Sequence, residues 1–151
     1  MILDKYLEMC DATAFAGGTG RQLLGSQIGI GGSAPNLGDH SMPLFLVIQV
    51  TTTVTSGGSA TVQFELSSDA TAAIAVDGSA SVHYTSADIP KATLVAGYEI
   101  AVPLPMAGGI PYEAYLGLVA NVGTAALTAG NINAFLTPQP NTWKAYPDAA
   151  N

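Results

Sequence analysis

The stretch from Pro43 to Asp69, PLFLVIQVTTTVTSGGSATVQFELSSD, does most to restrict the fold. It is the densest run of β-branched and aromatic residues in the chain, it is interrupted by Ser-Gly-Gly, and no helical spacing fits it. Two long β-strands joined by a turn are predicted. Leu44, Leu46, Ile48 and Val50 fall on one face, and Val62, Phe64 and Leu66 keep the same even-numbered phase beyond the turn, with Gln63 and Glu65 opposite. Paired as a hairpin, directly opposed residues share a face, so their numbers must sum to an even value. A three-residue loop of Ser56, Gly57 and Gly58 meets that condition. It sets Val50 against Phe64 and Ile48 against Leu66, with Gly58 free to take a positive φ. Phe45 and Val47 make the start of the first strand apolar on both sides, which predicts a cover for its outer face.

Further strands are predicted on either side. Gln22 to Ile30 and Ser81 to Thr85 are short candidates, and Tyr98 to Leu104 alternates with Ile100, Val102 and Leu104 inward and Glu99 outward. Pro103 and Pro105 cannot donate to a ladder, which places the end of that strand at a sheet edge. Ala114 to Val122 is apolar on both faces and reads as central, and Asn131 to Pro138 completes the pattern. Six to eight strands separated by turn signals predict an all-β chain, a β-sandwich or jelly roll. At 151 residues the chain, 1–151, is read as a single domain with its sandwich core at 43–137. The similar stretches TAAIAVDG and TAALTAGN are too short to be a repeat.

The remaining segments read as additions to that core. Met1 to Asp11 carries Ile2, Leu3, Tyr6, Leu7 and Cys10 at spacings of three and four, which predicts a short N-terminal helix. A helix of about three turns is marginal alone. It docks either over the outer patch at Phe45 and Val47 or on a neighbouring subunit. Residues 12–42 read as a glycine-rich arm. Its Gly17-Gly18-Thr19-Gly20 cluster lacks the Lys-Ser/Thr pair and the strand and helix that a phosphate loop needs. The tail, 138–151, holds the single tryptophan, Trp143, and Tyr146 among three prolines, a pattern that anchors on the domain itself or in a partner's pocket.

Composition narrows the function classes. Only 10% of residues are charged, the net charge is -7, and the basic residues are Lys5, Arg21, Lys91 and Lys144, widely scattered. Nucleic-acid surfaces cluster Lys and Arg, so DNA and RNA are excluded as direct partners. No apolar run reaches the 18 residues of a membrane-spanning helix, and the start lacks a signal peptide's pattern, so neither a membrane nor export is expected. The single cysteine, Cys10, reads as a small buried apolar side chain in a chain suited to a reducing compartment.

No catalytic set emerges. His83 has no Cys or second His at metal-ligand spacing and reads as a strand residue with an ordinary partner. Asp69 and Asp77 bracket an alanine-rich connection and Asp39-His40 lies in the arm, but none sits in a motif for hydrolysis or calcium. The expectation is a protein that is not an enzyme and has no metal or cofactor.

The segments MILDKYLEMCDATA, PLFLVIQV, ATVQFELSSD followed by ATAAIAVDG, IPKATLVAGYEIAVPLP, YEAYLGLVANVGTAALTAGNINAFLT and TWKAYPDA, in that order, resemble the small cement (decoration) proteins of tailed-bacteriophage capsids. The resemblance implies a jelly-roll-like β-sandwich that assembles as a homodimer on the capsid exterior, after synthesis in the host cytoplasm. There it would clamp neighbouring major capsid proteins and have no active site. Ile2, Leu3, Tyr6, Leu7, Phe45, Val47, Trp143 and Tyr146 are the candidate interface residues. A carbohydrate-binding or adhesin-type β-sandwich module is the alternative.

Overall fold

The computed structural model describes residues 5–31, 43–106 and 109–140. Nine strands follow a single 3-10 turn at Lys5–Leu7: β1 (Glu8–Ala14), β2 (Gly20–Gly29), β3 (Phe45–Ser56), β4 (Thr61–Asp69), β5 (Ser81–Thr85), β6 (Ile89–Pro90), β7 (Glu99–Pro103), β8 (Tyr115–Gly123) and β9 (Leu127–Thr137). They form two antiparallel sheets, β1-β9-β3-β7 and β2-β8-β4-β5, with the two-residue β6 beside β4. Counting only the eight longer strands in chain order, the sheets run 1-8-3-6 and 2-7-4-5. Almost every connection crosses from one sheet to the other, which is the double Greek key of a jelly roll.

The inward faces follow from alternation. Leu46, Ile48 and Val50 of β3, with Ile132, Ala134 and Leu136 of β9, meet Val62, Phe64 and Leu66 of β4 and Leu116, Leu118, Ala120 and Val122 of β8. All are buried, and each large side chain among them contributes roughly 1.5–3 kcal/mol by leaving water. Phe15, just past β1, packs on Phe64 with ring centroids 5.8 Å apart.

The even-numbered phase of β3 and β4 is therefore as expected, but their hairpin is not. β3 pairs with β7 and β9, whereas β4 pairs with β5, β6 and β8. Alternation says which face is apolar and not which strand lies alongside. Residues 57–60 carry the chain across the sandwich, so the two apolar faces oppose each other through the core.

The N-terminal helix is also replaced. Of the predicted helix, Met1 to Asp11, the described part is a 3-10 turn at Lys5–Leu7 followed by strand from Glu8. The helical spacing was imitated by irregularity: β1 breaks register against β9 at Glu8/Cys10 and again at Cys10/Thr13, with Ala12 at φ 42°. Successive Met9 and Cys10 are both buried as a result. Glu8–Ala14 docks by pairing with β9.

The glycine-rich arm is shorter than expected, because β2 fills residues 20–29 and Gly17 bridges to Leu127 through reciprocal backbone bonds of 3.2 and 2.9 Å. Gly17 and Gly20 serve strand pairing. The expectations for two other strands hold, since β7 is an edge and β8 lies between β2 and β4; β9, for which no position was predicted, lies between β1 and β3.

The sandwich has two unlike ends. At one end 15–19, 57–60 and 124–126 are short, and the 86–98 link runs from β5 through β6 to β7. At the other, every segment that leaves the sheets is long: the residues before β1, 30–44, 70–80, 104–114 and those after β9. Pairing of Phe45 with Thr137 and Pro103, and of Tyr115 with Gly29 and Asp69, fixes all of these departures at the same end.

Candidate functional site

That second end collects the exposed apolar residues. Tyr6 is 85% exposed, Met106 67% and Ile110 51%, and Val76 lies on the 70–80 connection that begins and ends there. Among the described residues the remaining exposed large apolar side chain, Val95, belongs to the opposite end. Single exposed apolar residues are ordinary on a protein surface. Their concentration on segments leaving one end is what marks a contact region.

The candidate interface residues divide accordingly. Tyr6 faces solvent and Leu7 is half-buried against the core. Phe45 is half-buried at the departure of the 30–44 segment. Val47 is fully buried and offers no contact surface, which corrects its place in the interface. Phe135, its neighbour on β9, and Gln49 are buried with it on the outward side of this sheet. Ile2, Leu3, Trp143 and Tyr146 lie outside the described residues.

The polar chemistry at the same end is inward-looking. Ser68 of β4 is fully buried, and its Oγ accepts the Glu113 N–H at 3.1 Å and lies 2.7 Å from His83 Nε2. The His83 imidazole stacks on Tyr112 with centroids 3.9 Å apart, and the Tyr112 hydroxyl donates to Pro105 O at 2.6 Å. Ser81 Oγ donates to Glu113 Oε1 at 2.6 Å. Burial pushes the Tyr112 hydroxyl up to about 12 and the His83 imidazole below its usual value, the nearby Glu113 charge opposing the latter. A serine, a histidine and a glutamate thus meet, but the serine has no access to a substrate and is committed to a backbone N–H. The group braces the entry to β8, and His83 has the ordinary partner expected of it.

The acidic residues are taken up locally. Asp69 accepts from the Thr71 and Ala75 N–H groups at 3.1 and 3.0 Å, and Asp77 accepts from the Ser79 hydroxyl and N–H at 2.6 and 2.9 Å. These bonds hold both carboxyls below their usual range. They are turn caps that shape the 70–80 connection. Among the described residues no three His, Cys, Asp or Glu side chains converge on a metal position. Asp39 and His40 lie outside the described residues.

Two concavities flank the end. A groove of about 470 Å³ runs between the edges of β1 and β2, lined by Lys5, Glu8, Asp11, Gly25, Gln27 and Ile28. Lys5 Nζ sits 2.6 Å from Glu8 and 3.6 Å from Asp11, so one cation faces two carboxylates. A smaller pocket of about 140 Å³ lies between Val82, His83, Pro105, Met106, Gly109 and Ile110. Sequence reasoning passed over Met106 and Ile110, because nothing in their spacing distinguishes them from core residues.

No curated protein matches the chain. The Bbp16 family model matches residues 13–136, from β1 through β9 and both sheets, and the chain belongs to the Bbp16 family.

Proposed function

We propose that this Bbp16-family jelly roll is a structural cement protein, which binds the exterior of a tailed-bacteriophage shell as a homodimer and clamps neighbouring major capsid proteins. The observation that carries the reading is the polarity of the sandwich. One end carries three short turns and the 86–98 link, while the other releases the residues before β1, 30–44, 70–80, 104–114 and those after β9 and displays Tyr6, Met106 and Ile110. The ordered likeness of the chain's segments to phage cement proteins supports it from the sequence side.

The physical task is modest per copy. A clamp adds interface area between capsomers already in place, and many copies raise the cost of losing any one capsomer by avidity. A surface rich in Thr, Ser and Ala with few charges limits the desolvation cost of covering flat protein.

The test is co-sedimentation of the pure protein with empty capsids, alongside its mass by analytical ultracentrifugation. A dimer that pellets with shells and raises their melting temperature is expected. A protein that leaves shells unbound, or that instead retains glycans on an array, would overturn the reading in favour of a carbohydrate-binding or adhesin module. Deleting residues 1–11 is not a clean test, since it removes half of β1. Trp143 follows the last strand in sequence, and Trp143→Ala is expected to weaken shell binding by about 2 kcal/mol or more if that side chain is an interface anchor.

A further inference from the structure

The entry to β8 is fastened by a cluster whose hydrogen bonding requires one protonation state. Ser68 is fully buried, and one lone pair of its Oγ is taken by the Glu113 N–H. Its hydroxyl hydrogen needs an acceptor, and among the described residues His83 Nε2, 2.7 Å away, is the one in reach. This network assigns the His83 proton to Nδ1 and leaves the imidazole neutral.

We propose that His83 is an acid-sensitive latch: its neutral ring holds residues 109–114 against the end of the sandwich, and its protonation loosens them. A proton arriving at Nε2 turns the acceptor into a donor. Two donors, Nε2–H and the Glu113 N–H, then converge on one oxygen, and the Ser68 hydrogen is left in a buried site without a partner. The anchor of Glu113 fails, and with it the packing of the segment that carries Ile110.

The groups that face His83 decide the direction. From β4 there is Ser68, which is uncharged. From 109–114 there are Tyr112, neutral across the relevant range, and Glu113, whose carboxylate favours the imidazolium but is held by Ser81. The pocket side, Val82, Pro105, Met106, Gly109 and Ile110, is uncharged. Burial outweighs Glu113, so the folded protein takes up its proton at a lower pH than the unfolded chain. The latch therefore contributes fully above the ordinary histidine value near 6.5, and its contribution is lost as pH falls from there through the folded value. This holds whatever partner the end contacts.

The experiment is an NMR titration of the full chain, from neutral pH to about pH 5, with amide exchange corrected for its intrinsic pH dependence. His40→Gln tells the two histidines apart. The Glu113 amide shift is expected to follow the His83 ring midpoint, and protection at Glu113 to drop several-fold in acid. His83→Gln, which offers a neutral acceptor, is expected to keep protection at both pH values. Unchanged protection in the wild type, a Glu113 transition at a midpoint different from the ring's, or an equal loss in His83→Gln would each overturn the proposal. Should His83→Gln fail to fold, the shared or separate midpoints in the wild type decide.

Discussion

Ile74 is seated over Gly117. A Cβ at Gly117 would come 2.8 Å from Ile74 Cγ1 and 3.1 Å from Leu23 Cδ1, so the absence of a side chain on β8 makes the niche that the 70–80 connection fills. Ile74 is 3% exposed although it lies outside the inter-sheet core. Gly117→Ala meets no backbone strain but overpacks that niche, and we expect a loss of about 1–3 kcal/mol in urea unfolding. Ile74→Ala in the same background is expected to relieve part of it, a coupling that a double-mutant cycle reads directly.

Arg21 and Glu65 tie β2 to β4 across β8 on the same outward face. The Arg21 guanidinium donates to Glu65 Oε1 at 3.1 Å, with the Glu65 side chain 4% exposed and that of Arg21 32%. Removing the arginine strands a buried carboxylate, so Arg21→Met is expected to cost about 1–3 kcal/mol, the partial exposure of Arg21 limiting the loss. Replacing both, Arg21→Met with Glu65→Leu, is expected to recover most of it, since a buried pair is often no better than apolar side chains of similar volume. Denaturation midpoints of the two variants check the order.

Cys10 is 1% exposed, and burial pushes its thiol up to about 12. Only the thiolate reacts with alkylating or disulfide reagents. The native protein at pH 8 is therefore expected to resist Ellman's reagent for as long as it stays folded. In urea, labelling should rise along the unfolding curve. Fast labelling of the folded protein would show that the β1 edge opens locally.

How far the sequence could be read depends on which physical signal each feature leaves. Alternation exposes faces, so Leu46, Ile48 and Val50, and likewise Val62, Phe64 and Leu66, were legible as core. It carries no information about neighbours in a sheet, so the β3–β4 crossing read as a hairpin. A bulged edge strand loses its period of two, and β1, with Met9 and Cys10 both buried, passed for a helix on that account. The Ser68, His83, Tyr112 and Glu113 cluster joins residues from β4, β5 and the connection before β8, and no spacing in the chain announces it. Glycines marked turns at Gly57, Gly58, Gly78 and Gly97, yet Gly20, Gly25, Gly29, Gly117, Gly123 and Gly130 lie within strands and Gly17 forms a bridge, which composition alone does not separate.

Met106 and Ile110 supply the surface test of the cement reading. Both are exposed on the connection between β7 and β8, at the end from which the long segments leave. Neither belongs to the inter-sheet core, so Met106→Ser with Ile110→Ser is expected to change unfolding stability by no more than about 0.5 kcal/mol per site. If this end contacts the shell, the pair should weaken capsid co-sedimentation by about tenfold, the effect of losing at least one interface residue worth more than about 1 kcal/mol. Val95→Ser, at the opposite end, is the matched control and should leave binding unchanged. Equal loss in the control, or none in the pair, would move the contact surface away from the end defined by Tyr6, Met106 and Ile110.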